Sequence, residues 1–281
     1  MLNEKIEQTW RLWVAYHGGA LHGWQMQAEG LRTVESELRD AFKKLLGHDV
    51  IVRSAGRTDS GVHARAQAVS CRFASRFDAR KLVLALSTVM PDDIAVFRAE
   101  KMPEGFDAQK AAIGKRYTYR VYQGLVADPF SHTTSWFLKR PLNIEAMKEA
   151  ALHLVGHLDY ESFRSAYCQA SHARRYLWKI GVHRQNSHVE IDVRGNAFCH
   201  NQVRIMVGTL VEVGLGHKTP ASLLDILAAR DRTKAGRTAP AHGLTLEEVY
   251  YPDDLSAAQI PEGAVFPRYP VMEDAVLRPS I

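Results

Sequence analysis

The sequence predicts an α+β protein built from two halves of like topology, each an antiparallel sheet with helices on one face. Two observations carry this. The order strand, helix, strand, strand, helix, strand can be traced twice between residues 9 and 250. The strands alternate with a period of two, while the segments between them place apolar residues on one helical face. That order is the split arrangement of a ferredoxin-like unit. It predicts an N-terminal half over 1–112, a C-terminal half over 113–252 and an irregular tail over 253–281.

In the first half, Trp10, Leu12, Val14 and Tyr16 alternate with Thr9, Arg11, Trp13 and Ala15, a strand over about 9–17. Trp13 implies that both of its faces are covered. Thr33 is a natural N-cap for a helix whose Val34, Leu38, Phe42 and Leu45 share a face, and Gly47 is its stop. "DVIVRS" at 49–54 reads as a strand and "GRTDSG" at 56–61 as a loop. "AQAVSCRF" at 66–73 is a strand with Gln67, Val69, Cys71 and Phe73 on one side. A helix over 78–88 carries Leu82, Val83 and Leu86; Pro91 follows its end, and "DIAVFRAE" is the fourth strand.

The second half repeats the order. "KRYTYRVY" at 115–122 is a strand, 143–155 a helix ended by Gly156, and "RRYLWKIGVH" and "HVEIDVRG" are two strands. "CHNQVRIMVGTLVEV" at 199–213 is a helix, a short helix follows over 222–229, and "LTLEEVY" is the last strand. Beyond 252, Pro261, Pro267, Pro270 and Pro279 interrupt any period.

With 46% hydrophobic residues and 24% charged, the chain has the composition of a globular protein with a substantial core. A net charge of +5 and a pI of about 9.1 favour a polyanionic partner, nucleic acid or an acidic membrane face. No apolar run approaches the roughly 18 residues of a membrane span. "MLNEKIEQTW" lacks the basic start and apolar stretch of a signal peptide, which predicts a cytoplasmic protein. Three widely spaced cysteines, Cys71, Cys168 and Cys199, argue against a disulfide framework. Cys168, His172, Cys199 and His200 lack the spacing of a zinc finger or ribbon and read as buried thiols and surface histidines.

Three stretches could carry chemistry. "GRTDSG" is either a turn, for which Asp, Ser and flanking glycines are suited, or a loop that presents Arg57 and Asp59 to a ligand, with Asp59 as nucleophile or base. In "GKRYTYRVY", Tyr117, Tyr119 and Val121 point one way and Arg116, Thr118 and Arg120 the other. Tyr119 suits core packing, although aromatics interleaved with cations also suit unstacked bases and phosphates. In "NAFCHNQVRIMVG", Val203, Met206, Val207 and Leu210 form an apolar face. Arg204 beside it is either a snorkelling surface side chain or the partner of a buried carboxylate. His63 and His200 read as solvated or capping residues.

These stretches, with "HGWQ" at 22–25, "AGRTDSGVHA" at 55–64, "SFR" at 162–164, "CQ" at 168–169, "GRTAPAHGLTL" at 236–246 and "VYYP" at 249–252, resemble the tRNA pseudouridine synthase A family over most of residues 10–252. The resemblance implies two RNA-binding-like halves around a central cleft, the pseudouridine synthase fold. It also implies a homodimer acting on tRNA, in which uridines 38, 39 and 40 of the anticodon stem-loop become pseudouridine. Neither metal nor organic cofactor is required for that reaction. Asp59 matches the family's catalytic aspartate, Arg204 the basic residue that pairs with it, and Tyr117 the active-site tyrosine. Arg57 matches the arginine that extrudes the base, and Leu244 an apolar pocket residue. Lys115, Arg116, Arg120 and Arg175 are candidates for phosphate contacts on charge and position.

Met26, Ser171, Ala173 and Arg65 depart from the family pattern. The first three stand where RNA-contacting or loop-shaping residues are usual. Two alternatives stand beside the main reading: a synthase for another RNA site, and a non-catalytic RNA-binding protein in which Asp59 merely caps a turn. A hydrolase using Ser60 and His63 lacks an orienting third group.

Overall fold

The computed structural model describes residues 7–27, 30–74 and 77–252; the predicted tail over 253–281 lies outside them. The chain divides into two compact units. Among the described residues, one comprises 7–27, 30–58, 64–74, 77–113 and 249–252, and the other comprises 59–63 and 114–248.

In the first unit the chain runs β1 (Glu7–Tyr16), α1 (Val34–Leu46), β2 (Val52–Ser54), β3 (His63–Ala74), α2 (Ala79–Ser87), β4 (Ile94–Met102) and the single turn α3 (Ala108–Ala111). β4 and β3 flank β1, and β2 lies on the outer side of β3, every pair antiparallel. This is the split βαββαβ order. Thr33 caps α1 in a reciprocal box with Ser36, and Gly47 ends it in the left-handed region at φ 78°. Val34, Leu38, Ala41 and Phe42 of α1 and Leu82 and Leu86 of α2 are buried, with Phe42 packed 5.1 Å from Phe73 of β3. The strand read over 49–54 is shorter than expected, since only 52–54 pair with β3.

The second face of β1 is covered, as Trp13 implied. Arg11 is only 4% exposed. Its Nε donates to Glu100 Oε2 at 2.7 Å, and its guanidinium lies 4.7 Å from the ring centre of Tyr251. A buried cation needs a counter-charge, which Glu100 supplies, and the Tyr251 ring adds a cation–π contact.

The second unit contains β5 (Gly114–Gln123), β6 (Trp136–Leu138), α4 (Ile144–Leu152), β7 (Gly156–Asp159), β8 (Arg174–Gln185), β9 (His188–Gly195), α5 (Gln202–Gly214), α6 (Ser222–Ala229) and most of β10 (Leu244–Tyr250). Its strand order is β10-β5-β9-β8-β7. Without the added edge strand β7 this is the split order again. β6 departs from the antiparallel expectation, because it pairs with β5 in parallel. Neither β6 nor β7 was legible from alternation, since three or four residues do not define a period.

Helix α5 is buried almost all round. One reason is the segment 236–239, which lies against it so closely that a Cβ on Gly208 would fall 1.8 Å from the Arg237 carbonyl oxygen. The helix begins at Gln202 rather than 199 because Asn201 takes up the left-handed region at φ 61°, turning the chain just before the first helical residue. The helix read over 143–155 ends at Leu152. Among the described residues, no helix is long and apolar enough to cross a membrane.

Candidate active site

Asp59 belongs to the second unit, on the tight turn that precedes β3. The turn closes through the Val62 N–H on the Asp59 carbonyl at 3.1 Å. Gly61 completes it at φ 81°, where a side chain would be strained. The turn reading of "GRTDSG" therefore holds, and this turn carries the Asp59 carboxylate.

That carboxylate is met by the N-terminal part of α5. Arg204 Nη1 donates to Asp59 Oδ2 at 2.9 Å, and the side chains are only 16% and 24% exposed. Arg204 is the partner of a half-buried acid and not a surface side chain. Its Nη1 also donates to Asn201 Oδ1 at 2.8 Å, and its Nε to the Ala239 carbonyl at 2.8 Å. Ala239 in turn donates its N–H to the Arg204 carbonyl at 3.1 Å. The guanidinium is thus held on three sides by an acid, an amide and a carbonyl, which fixes its plane against Asp59.

His200 is the residue that the sequence reading set aside. Its Nε2 lies 3.4 Å from Asp59 Oδ1, the oxygen other than the one Arg204 binds. Spacing offered no signal, because His200 precedes the left-handed Asn201 and lies outside the helix that carries Arg204. His63 is also corrected. It is buried, and its Nε2 lies 3.0 Å from the His242 carbonyl oxygen, so it ties the Asp59 turn to the 241–243 turn instead of facing water.

Tyr117 and Tyr119 face the interior from β5. Tyr117 stands edge-on to Phe198, with ring centres 5.2 Å apart. Tyr119 is fully buried, as core packing requires, and donates its hydroxyl proton to the Pro240 carbonyl at 2.8 Å. Burial pushes its phenol far above the usual range, so it remains a hydrogen-bond donor. Its ring packs against Gly243, where a Cβ would clash at 2.5 Å. The next residue is Leu244, buried at the start of β10.

The opposite face of this sheet is less basic than the alternation suggested. Arg116 pairs with Asp192 and, at 3.4 Å, with Glu248. Arg120 pairs with Glu190 at 2.9 Å and Glu247 at 3.0 Å. The partners come from neighbouring strands, so alternation along β5 could not show them. Lys115 is half-buried, and desolvation pulls its ammonium down to about 8. Arg175 directs one amino group to the His172 and Arg174 carbonyls. Arg57 is exposed and makes no ion pair among the described residues.

Ser171 and Ala173 line an open cavity of about 560 Å³ with Asp159, Glu161, Arg164 and Arg230. Met26 is exposed and touched by Arg39, and Arg65 is exposed. Among the described residues, no group of three or more His, Cys, Asp or Glu side chains is placed to hold a metal ion.

Residues 150–252, which carry β8, β9, α5 and Arg204, match a family described as tRNA pseudouridine synthase. Together with the doubled split frame and its arginine-held carboxylate, this places the chain among the pseudouridine synthases, which are isomerases. Similarity extends over nearly the whole chain in curated relatives called tRNA pseudouridine synthase A. The one from Myxococcus xanthus is 41% identical over 245 residues, covering 86% of this chain and 92% of its own. Those from Moorella thermoacetica and Brevibacillus brevis are each 41% identical, with 98% and 97% of their own lengths covered. The chain belongs to the tRNA pseudouridine synthase A family.

Proposed function

We propose that this protein converts uridine to pseudouridine in the anticodon stem-loop of tRNA, at positions 38, 39 and 40, as a cytoplasmic homodimer and without a cofactor. The observation that carries the chemistry is the 2.9 Å pair between Arg204 and Asp59. Isomerisation breaks the bond from uracil N1 to ribose C1′, turns the base and joins its C5 to C1′. A carboxylate can attack C1′ or C6, or assist elimination at the ribose, and then leave unchanged. Asp59 is suited to this because Arg204, on Oδ2, offsets the cost of holding its charge away from water, while Oδ1 faces the more distant His200.

Tyr117 would stack on the flipped uracil, with its hydroxyl placed to assist loss of the C5 proton, and Leu244 would wall the pocket. Arg57, exposed and without an ion-pair partner among the described residues, is suited to extruding the base. Lys115, Arg116 and Arg175 would meet phosphates.

The test is tritium release from C5-labelled uridine in tRNA transcripts, with the modified positions mapped by primer extension. Wild type should release tritium, and Asp59→Ala should not, while still binding the RNA. Binding without release from any transcript would reject the enzyme reading and favour the RNA-binding one. Release at other positions would favour a synthase for another RNA site.

A further inference from the structure

Gln67 is a polar residue in an apolar row. It stands on β3 in line with Val69, Cys71 and Phe73, opposite Val14 of β1, and it is fully buried. A leucine or methionine would fill this place with no polar group to satisfy. The amide instead reaches the loop that follows β2, where its Nε2 donates to the Gly56 carbonyl at 2.7 Å. Its Oε1 has no hydrogen-bond partner among the described residues, a desolvation cost that an apolar side chain would not bear.

Tyr16, at the end of β1, reaches the same loop two residues further on. It is only 5% exposed, and its hydroxyl shares a hydrogen bond of 2.8 Å with that of Thr58, which is also buried. Burial pushes the phenol up to about 12, so the group stays protonated. Thr58 is gripped a second time, because the Trp24 N–H donates to its carbonyl at 3.1 Å. On the other side, Ala55 donates its N–H to the Ala68 carbonyl at 2.8 Å. Between these fixed points lies Arg57, exposed and with no ion pair among the described residues. Every residue of the bracket belongs to the first unit.

We infer that Tyr16 and Gln67 are positioning residues for Arg57: they hold the residues on either side of it, so that its guanidinium is presented to RNA from a fixed backbone. This rests on the role proposed above for Arg57 in extruding the target base. Neither side chain meets the base; each acts through the loop. Ordering a long arginine side chain already costs conformational entropy, so it delivers its charge to one place only from a backbone that is itself held.

Without the Tyr16 hydroxyl, Thr58 would keep a buried hydroxyl lacking its partner, and the loop would move toward water to satisfy it. Arg57 is joined to Thr58 by a peptide bond and moves with it. A displacement of about 1 Å in a group that must meet its target in a set geometry lowers the rate by one to two orders of magnitude.

The test compares the wild type with Tyr16→Phe, which removes one oxygen, and Gln67→Met, which keeps the length and loses the amide. Urea curves first fix conditions in which every protein is fully folded. Hydrogen exchange read by mass spectrometry should then quicken by roughly 2- to 10-fold at residues 55–59 in both variants, the effect of losing one neutral hydrogen bond. Single-turnover tritium release at saturating tRNA should fall about tenfold or more. The loss should appear in turnover and not in KM, because extrusion follows binding. Thr58→Val should show the same loss, and Thr58→Ser, which retains the hydroxyl, should recover most of it. In an Arg57→Ala background, Tyr16→Phe and Gln67→Met should each cost no more than about twofold, since no guanidinium is left to aim. The inference is overturned if the folded variants release tritium as fast as wild type, or if their losses multiply with that of Arg57→Ala. A wild type inactive on every tRNA would count against the proposed function instead, and the exchange at 55–59 would still decide whether the two side chains hold the loop.

Discussion

Arg204 binds Asp59 and the backbone of Ala239 with different nitrogens of one guanidinium, at 2.9 and 2.8 Å. Lysine cannot reproduce this, since a single ammonium on a flexible stem has no fixed fork. Arg204→Lys should therefore keep the charge and lose the aim of the carboxylate. A charge-assisted hydrogen bond contributes about 1.5–3 kcal/mol, so turnover should fall by roughly 10- to 150-fold. Single-turnover tritium release with saturating tRNA would read the loss, and an unchanged rate would show that charge alone suffices.

Gly208 gives the second prediction. Its position allows the 236–239 segment to lie on α5, and a methyl group there would meet the Arg237 carbonyl oxygen at 1.8 Å. Gly208→Ala should destabilise the protein by about 1–3 kcal/mol, the usual cost of overpacking, and urea denaturation would measure it. Because Ala239 lies on the displaced segment, turnover should fall as well, even under conditions where the variant is fully folded.

Lys115 makes stability depend on pH. Its folded-state value, about 8, is depressed from the ordinary 10.5 by desolvation. Between those values the unfolded chain binds the extra proton, so this group's contribution makes stability rise with pH across about 8–10.5. The penalty for burying the ammonium is fully present below 8. Lys115→Met should be more stable than wild type at pH 7, with the difference vanishing near pH 10.5. Denaturation curves at both pH values would check the sign. If a phosphate sits on Lys115, tRNA affinity should weaken between pH 7 and 9 in the wild type and not in the variant.

Arg57 and Arg116 should differ in their effect on RNA binding. Arg57 is exposed with no ion pair among the described residues, whereas Arg116 already pairs with Asp192. A phosphate must compete with that carboxylate. Arg57→Ala should lower the slope of log affinity against log salt by about one, and Arg116→Ala should change it by less. Filter binding of tRNA across a salt series separates them, and equal slopes would reject the distinction.

Much of this protein was legible in its residue order. Local physics sets the ends of α1, where Thr33 and Gly47 are a cap and a stop whatever surrounds them, and it sets the period of β1, β3 and β5. The twofold recurrence of the split order followed from those elements. Asp59, Tyr117 and Arg204 could be singled out by type and by likeness to a family. The pairing of Arg204 with Asp59 was implied by that likeness alone; residue order could not show its geometry. Asp59 and Arg204 are 145 residues apart, and only the folded chain brings their side chains within 2.9 Å. The Ala239 carbonyl that aims Arg204 has no side-chain signal at all. His200 is exposed as expected, but its approach to Asp59 was not legible, and the basic face of β5 was overestimated because its carboxylates come from β9 and β10. Periodicity records which way a side chain points; what it meets there is decided by the packing of segments distant in sequence.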